Sequence, residues 1–83
     1  MESKCYIKVK NQQGEALSGI EVCGDYSHHS GGSTPHVTTN KFGDAVLKFE
    51  GGVWKVWVGG PRCSVNHEFS FSPQNGRSYI LTI

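Results

Sequence analysis

Asp44-Ala45-Val46-Leu47-Lys48-Phe49-Glu50-Gly51-Gly52-Val53-Trp54-Lys55-Val56-Trp57-Val58 is the stretch that decides the fold class. Its first six residues put Ala45, Leu47 and Phe49 on one side and Asp44, Val46 and Lys48 on the other, the two-residue period of a strand with one buried face. Glu50-Gly51-Gly52 reads as a connecting turn, because glycine reaches backbone angles that other residues avoid. Beyond it Trp54, Val56 and Val58 share one face and Val53, Lys55 and Trp57 the other, so one of the two tryptophans is expected to face outward.

The same period continues on both sides. Upstream, Val37-Thr38-Thr39 is a short β-prone piece and Asn40-Lys41-Phe42-Gly43 a turn. Near the start, Cys5, Ile7 and Val9 alternate with Lys4, Tyr6, Lys8 and Lys10. The turn residues Asn11-Gln12-Gln13-Gly14 follow, and Leu17 leads through Ser18-Gly19 into a second strand, Ile20-Glu21-Val22-Cys23. From Gly24 to His36 there is no apolar period and a high density of breakers, which predicts a long exposed loop. Downstream, Gly59-Gly60-Pro61 turns the chain, Cys63, Val65, His67, Phe69 and Phe71 alternate with polar residues, and Ser72 to Gly76 turns it again through Asn75-Gly76. In the final strand Tyr79, Leu81 and Ile83 share a face. No ten-residue segment keeps a helical period, and no internal repeat is visible. About seven short strands with regular turns predict an all-β, antiparallel, immunoglobulin-like sandwich, a single domain over 1–83.

Composition agrees. Eleven glycines, four Phe, three Tyr, two Trp and a single Met are ordinary for a strand-and-turn fold and unusual for a helical bundle. A chain of 83 residues buries only about 60% of the surface its unfolded form exposes, leaving little room for a deep cleft with its own supporting shell. Recognition is therefore expected on loops or on a sheet face. Eight basic and seven acidic residues give a net charge near +1, so no broad field draws nucleic acid or anionic membrane. No run approaches the roughly 20 apolar residues of a membrane-spanning helix, and the start Met1-Glu2-Ser3-Lys4 lacks the apolar run of a signal peptide.

Three cysteines, Cys5, Cys23 and Cys63, allow at most one internal disulfide. Cys5 falls in the inward phase and Cys23 in the outward one, so a bridge between them needs a bulge. Cys23 and Cys63 both border glycine-rich turns and could meet across one end of the sandwich, which geometry alone decides.

Two blocks carry a family resemblance: Ile7 to Val22, with Gly14, Leu17 and Gly19, and Thr39 to Val58, with Gly43, Ala45, Leu47, Gly52, Trp54, Val56 and Val58. Together they resemble the prealbumin-like, or carboxypeptidase regulatory-like, β-sandwich domains over about half of the chain. The resemblance implies an accessory module appended to a secreted or cell-surface protein, an extracellular location, and neighbouring domains as partners. A related group, the collagen-adhesin B-type repeats, crosslinks a first-strand Lys to a late-strand Asn with the help of a buried Glu. Lys8 stands where that Lys would be, but Trp57 falls about where the Glu is carried and the last strand, Tyr79 to Ile83, has no Asn. No intramolecular isopeptide is expected.

Four groups of residues bear on function. His28, His29 and His36, with Asp25, offer ligands of the kind zinc or copper takes, the basis for a small metal-binding domain. Their spacing matches no tight metal motif, solvated loop histidines are the plainer reading, and no cofactor is expected. Cys23 or Cys63 with a nearby His and Asp has the raw material of a nucleophilic site, but no residue pair stands at a diagnostic spacing, so catalysis is not expected. Trp57, with Tyr6 and Tyr26 as neighbours, makes a candidate aromatic surface for stacking on sugar rings or anchoring a protein; its plainer alternative is that Trp57 packs under the long loop or against a neighbouring domain. Lys4, Lys8 and Lys10 form a solubilising stripe that also guards a strand edge. Two classes of function follow: a structural or spacer module, and a binding module for carbohydrate or protein that uses the 24–36 loop and Trp57.

Overall fold

The computed structural model describes residues 2–27, 32–60 and 66–83. They form seven strands: β1 (Ser3–Lys10), β2 (Glu21–Tyr26), β3 (Val37–Thr38), β4 (Asp44–Phe49), β5 (Val53–Gly59), β6 (His67–Phe69) and β7 (Ser78–Thr82), with no helix among the described residues. Two sheets, ordered β4-β1-β7 and β3-β2-β5-β6, pack as a sandwich of 36 × 25 × 17 Å.

Alternation explains the core of the first sheet residue by residue. Cys5, Ile7 and Val9 of β1 and Ala45, Leu47 and Phe49 of β4 all face inward and are buried, joined by Leu81 of β7. Opposite them lie Ile20, Val22, Val53, Val56 and Val58 from the second layer. Each fully buried aliphatic side chain contributes roughly 1.5–3 kcal/mol relative to exposure. The two turns that begin with Asn share one device. The Oδ1 of Asn11 accepts the N–H groups of Gln13 and Glu15 at 3.0 and 2.9 Å, and that of Asn40 accepts those of Phe42 and Asp44 at 2.8 and 3.1 Å. Gly43 closes the second turn at φ +77°, where a Cβ would stand 2.7 Å from the Val9 carbonyl oxygen.

The sandwich departs from the expected outline in four places. First, it is not wholly antiparallel: β7 runs parallel to β1, in register from Tyr6 opposite Ser78 to Lys10 opposite Thr82. The chain changes layers between β6 and β7, and a crossover lets a strand arrive in either direction, whereas a tight hairpin forces antiparallel pairing. Second, Gly24, Asp25 and Tyr26 belong to β2 rather than to the loop. Gly24 serves close packing: a Cβ there would lie 2.8 Å from Val53 Cγ1. Thr34, 2% exposed, folds back onto it, its Oγ1 accepting the Gly24 N–H and its own N–H donating to the Gly24 carbonyl, both at 2.8 Å.

Third, the β2–β5 register shifts at Asp25/Tyr26, with Asp25 opposite Lys55 but Tyr26 opposite Val53. This bulge gives Trp54 no partner and changes the phase of β5. Val53 is 2% exposed and Trp54 50%, so Val53 takes the core position expected of Trp54, and both tryptophans face outward. Fourth, β6 is only three residues long. Phe71 reaches the core from beyond it, with its ring centroid 4.9 Å from that of Tyr79. Cys63 and Val65 lie outside the described residues.

Candidate functional site

The outer face of the four-stranded sheet concentrates the polar chemistry of the molecule. The outward phase of β2 presents Glu21, Cys23 and Asp25, and β5 sets Gly59, Trp57 and Lys55 opposite them. Trp57 Nε1 donates to Asp25 Oδ2 at 2.6 Å, and Ser33 Oγ donates to Asp25 Oδ1 at 3.2 Å. Both carboxylate oxygens of Asp25 are thus engaged by neutral donors. Glu21 Oε1 lies 3.3 Å from His36 Nδ1. Lys55 Nζ is 3.1 Å from Glu68 Oε1 and 4.4 Å above the ring of Trp54. Between these groups lies a shallow depression of about 440 Å³ lined by Glu21, Cys23, Asp25, His36, Trp57 and Asn66 among others.

Cys23 sits in the wall of this depression. Burial, and then the carboxylates of Asp25 and Glu21, push its thiol up from the ordinary range. Cys5, fully buried in the core, is pushed up to about 11 by burial. Both thiols are free, and neither supplies a thiolate at neutral pH. What the face offers is a half-buried indole, carboxylate acceptors and a hydroxyl, a set suited to stacking and hydrogen bonding.

The sequence-predicted residues do not assemble as expected. Trp57 belongs to this face, but Tyr6 lies on the outer face of the other sheet, between the buried Cys5 and Ile7, so the two aromatics are on opposite sides of the sandwich. Tyr26 packs against the core and its hydroxyl accepts the Glu50 N–H at 3.0 Å. The three do not form one aromatic surface, because the sandwich has two outer faces and alternation does not say which sheet a strand joins. Of the metal candidates, His28 and His29 lie outside the described residues. His36 turns to Glu21 while Asp25 binds Trp57 and Ser33, and no group of three metal-capable side chains occurs among the described residues. Lys8 points away from the core and pairs with Asp44 at 2.8 Å while donating to the Phe42 carbonyl at 3.0 Å.

Glu21, Trp54 and Glu68 are not among the sequence-predicted site residues, whereas Cys23 stands in the outward phase that the sequence assigns it. The i, i+2, i+4 spacing of Glu21, Cys23 and Asp25 carries the signal for Glu21, hidden by reading Gly24 as a loop residue. No protein-family model matches the chain, and a search of curated proteins finds no match.

Proposed function

We propose that this chain is a non-catalytic accessory module of the prealbumin-like, immunoglobulin-like type, set in series with neighbouring domains of a larger secreted or surface protein. The observation that carries the reading is the parallel pairing of β1 with β7. Because the first and last strands lie side by side and run the same way, the chain enters at one end of the sandwich and leaves at the other. The eight residues of β1 alone span about 26 Å at the rise of a strand. That layout suits a spacer, since neighbours attached before β1 and after β7 are held apart along the strand direction. The order β4-β1-β7 against β3-β2-β5-β6 adds a two-layer arrangement compatible with that fold type. The test is small-angle scattering of the domain placed between two well-folded marker proteins. An extended particle, with the markers separated by at least the length of β1, about 26 Å, is expected; markers folded back against each other would sink the spacer reading.

A second reading, a carbohydrate- or protein-binding module, draws on one observation: the Trp57 indole is fixed by Asp25 beside an open depression. Titration with polysaccharide fragments, followed at the indole N–H signals, is expected to shift Trp57 if this reading holds. An unmoved Trp57 signal across a broad panel removes it.

A further inference from the structure

Among the described residues each sheet ends in two strands with a free side: β4 and β7 in one, β3 and β6 in the other. A free edge offers its N–H and C=O groups to any second strand unless it is guarded. β3 has two residues and β6 three, too short for a ladder. β4 carries Asp44 and Lys48, and its start is covered by Asn40, whose N–H donates to the Asp44 carbonyl at 2.9 Å and whose Oδ1 accepts the Asp44 N–H at 3.1 Å.

β7 has none of these guards. From Ser78 through Thr82 it reads Ser-Tyr-Ile-Leu-Thr, and Ile83 follows, with no charge, no proline and no glycine. Its direction of pairing follows from two bonds: the Tyr6 N–H donates to the Arg77 carbonyl and the Ile83 N–H to the Lys10 carbonyl, both at 2.9 Å. The odd-numbered residues therefore bond to β1, and Ser78, Ile80 and Thr82 aim their backbone groups at the open side. Ile80 is 63% exposed, more than any other large hydrophobic residue described.

We propose that β7 is a dimerisation edge, on which a second copy of this chain adds its own β7 in antiparallel fashion about a twofold axis at Ile80. The two three-stranded sheets then become one sheet of six strands. A twofold there sets Ser78 opposite Thr82 of the second copy and Ile80 opposite its own counterpart, each pair exchanging both backbone bonds. No like charges meet, and Ile80 leaves water. A charged strand from another protein finds no counter-charge on β7, so its best complement is an uncharged strand of the same pattern, which its own copy supplies.

Sedimentation equilibrium of the whole chain from about 10 µM to about 1 mM tests this. A monomer–dimer equilibrium is expected, with hydrogen-exchange protection of the Ile80 and Thr82 amides rising with concentration. Ile80→Lys places two like charges face to face and is expected to raise the dimer dissociation constant about tenfold or more; Thr82→Lys should act in the same direction. Val46→Lys puts the same charge on the same outer face but on β4, and should leave the dimer intact. A monomer at every concentration, a dimer that survives Ile80→Lys, or a dimer dispersed equally by Val46→Lys overturns the proposal.

Discussion

The two outer faces of the sandwich are built from different materials. On β4-β1-β7, Tyr6, Val46 and Ile80 are exposed in a field of lysines, and the ion pair of Lys8 with Asp44 lies flat on the surface. On β3-β2-β5-β6, three separate polar contacts lie on one face: Glu21 with His36, Asp25 with Trp57, and Lys55 with Glu68. The first face comes from strands that alternate without interruption, so its side chains stand in simple rows. The second carries a bulge, which brings Trp54 and Lys55 out together and lets a ring, an ammonium and a carboxylate meet. Regular pleating lines side chains up in rows; a broken pleat brings neighbours in sequence out on one face.

The largest expected effect sets an unbroken strand against the broken one. Leu47→Ala, at a fully buried position of β4, should cost about 2–5 kcal/mol in urea unfolding. Trp54→Ala, at a position that strict alternation would bury, should cost less than about 1 kcal/mol because the bulge has already put the indole in solvent. Equal losses would mean that the bulge is absent in solution.

The buried Cys5 extends the comparison to pH. Burial holds the Cys5 thiol at about 11, above its ordinary value of 9.0. Between those values the folded state binds more protons than the unfolded one, so stability should fall as pH rises from about 9 towards 11, by on the order of 2 kcal/mol. Cys5→Ala should flatten that alkaline decline in denaturant titrations; an unchanged slope would assign it to other groups.

A smaller effect concerns the second face. Asp25→Asn weakens a charge-assisted hydrogen bond to Trp57, with a loss of about 1 kcal/mol. It also removes one of the charges that push the Cys23 thiol up, so Cys23 should alkylate faster at a fixed mildly alkaline pH. Slower or unchanged alkylation would show that Asp25 does not set the local field. The smallest effect belongs to Lys55→Ala, which breaks a partly exposed ion pair with Glu68 and should change stability by no more than about 0.5 kcal/mol.

Much of this architecture is legible along the chain. The inward set Cys5, Ile7, Val9, Ala45, Leu47 and Phe49 follows from the strand period alone, as do the turns at Gly14 and Gly43. The candidate site was less legible. Trp57 was readable as an outward indole, but its bond to Asp25 depended on β2 continuing past Gly24. A glycine between polar residues looks the same whether it makes a turn or yields space to a neighbour.

What the amino-acid sequence determined by itself is local: which residues share a face, where the chain can turn, and that strands rather than helices form, because pleat and turn chemistry are set within a few residues. What only the tertiary structure decided is the allocation of strands to layers, the parallel seat of β7 beside β1, and the choice of Val53 over Trp54 for the core. These depend on partners distant in sequence. The space left by the missing side chain of Gly24 is filled by Val53 Cγ1, and no period within β5 records that Gly24 lies beside Val53.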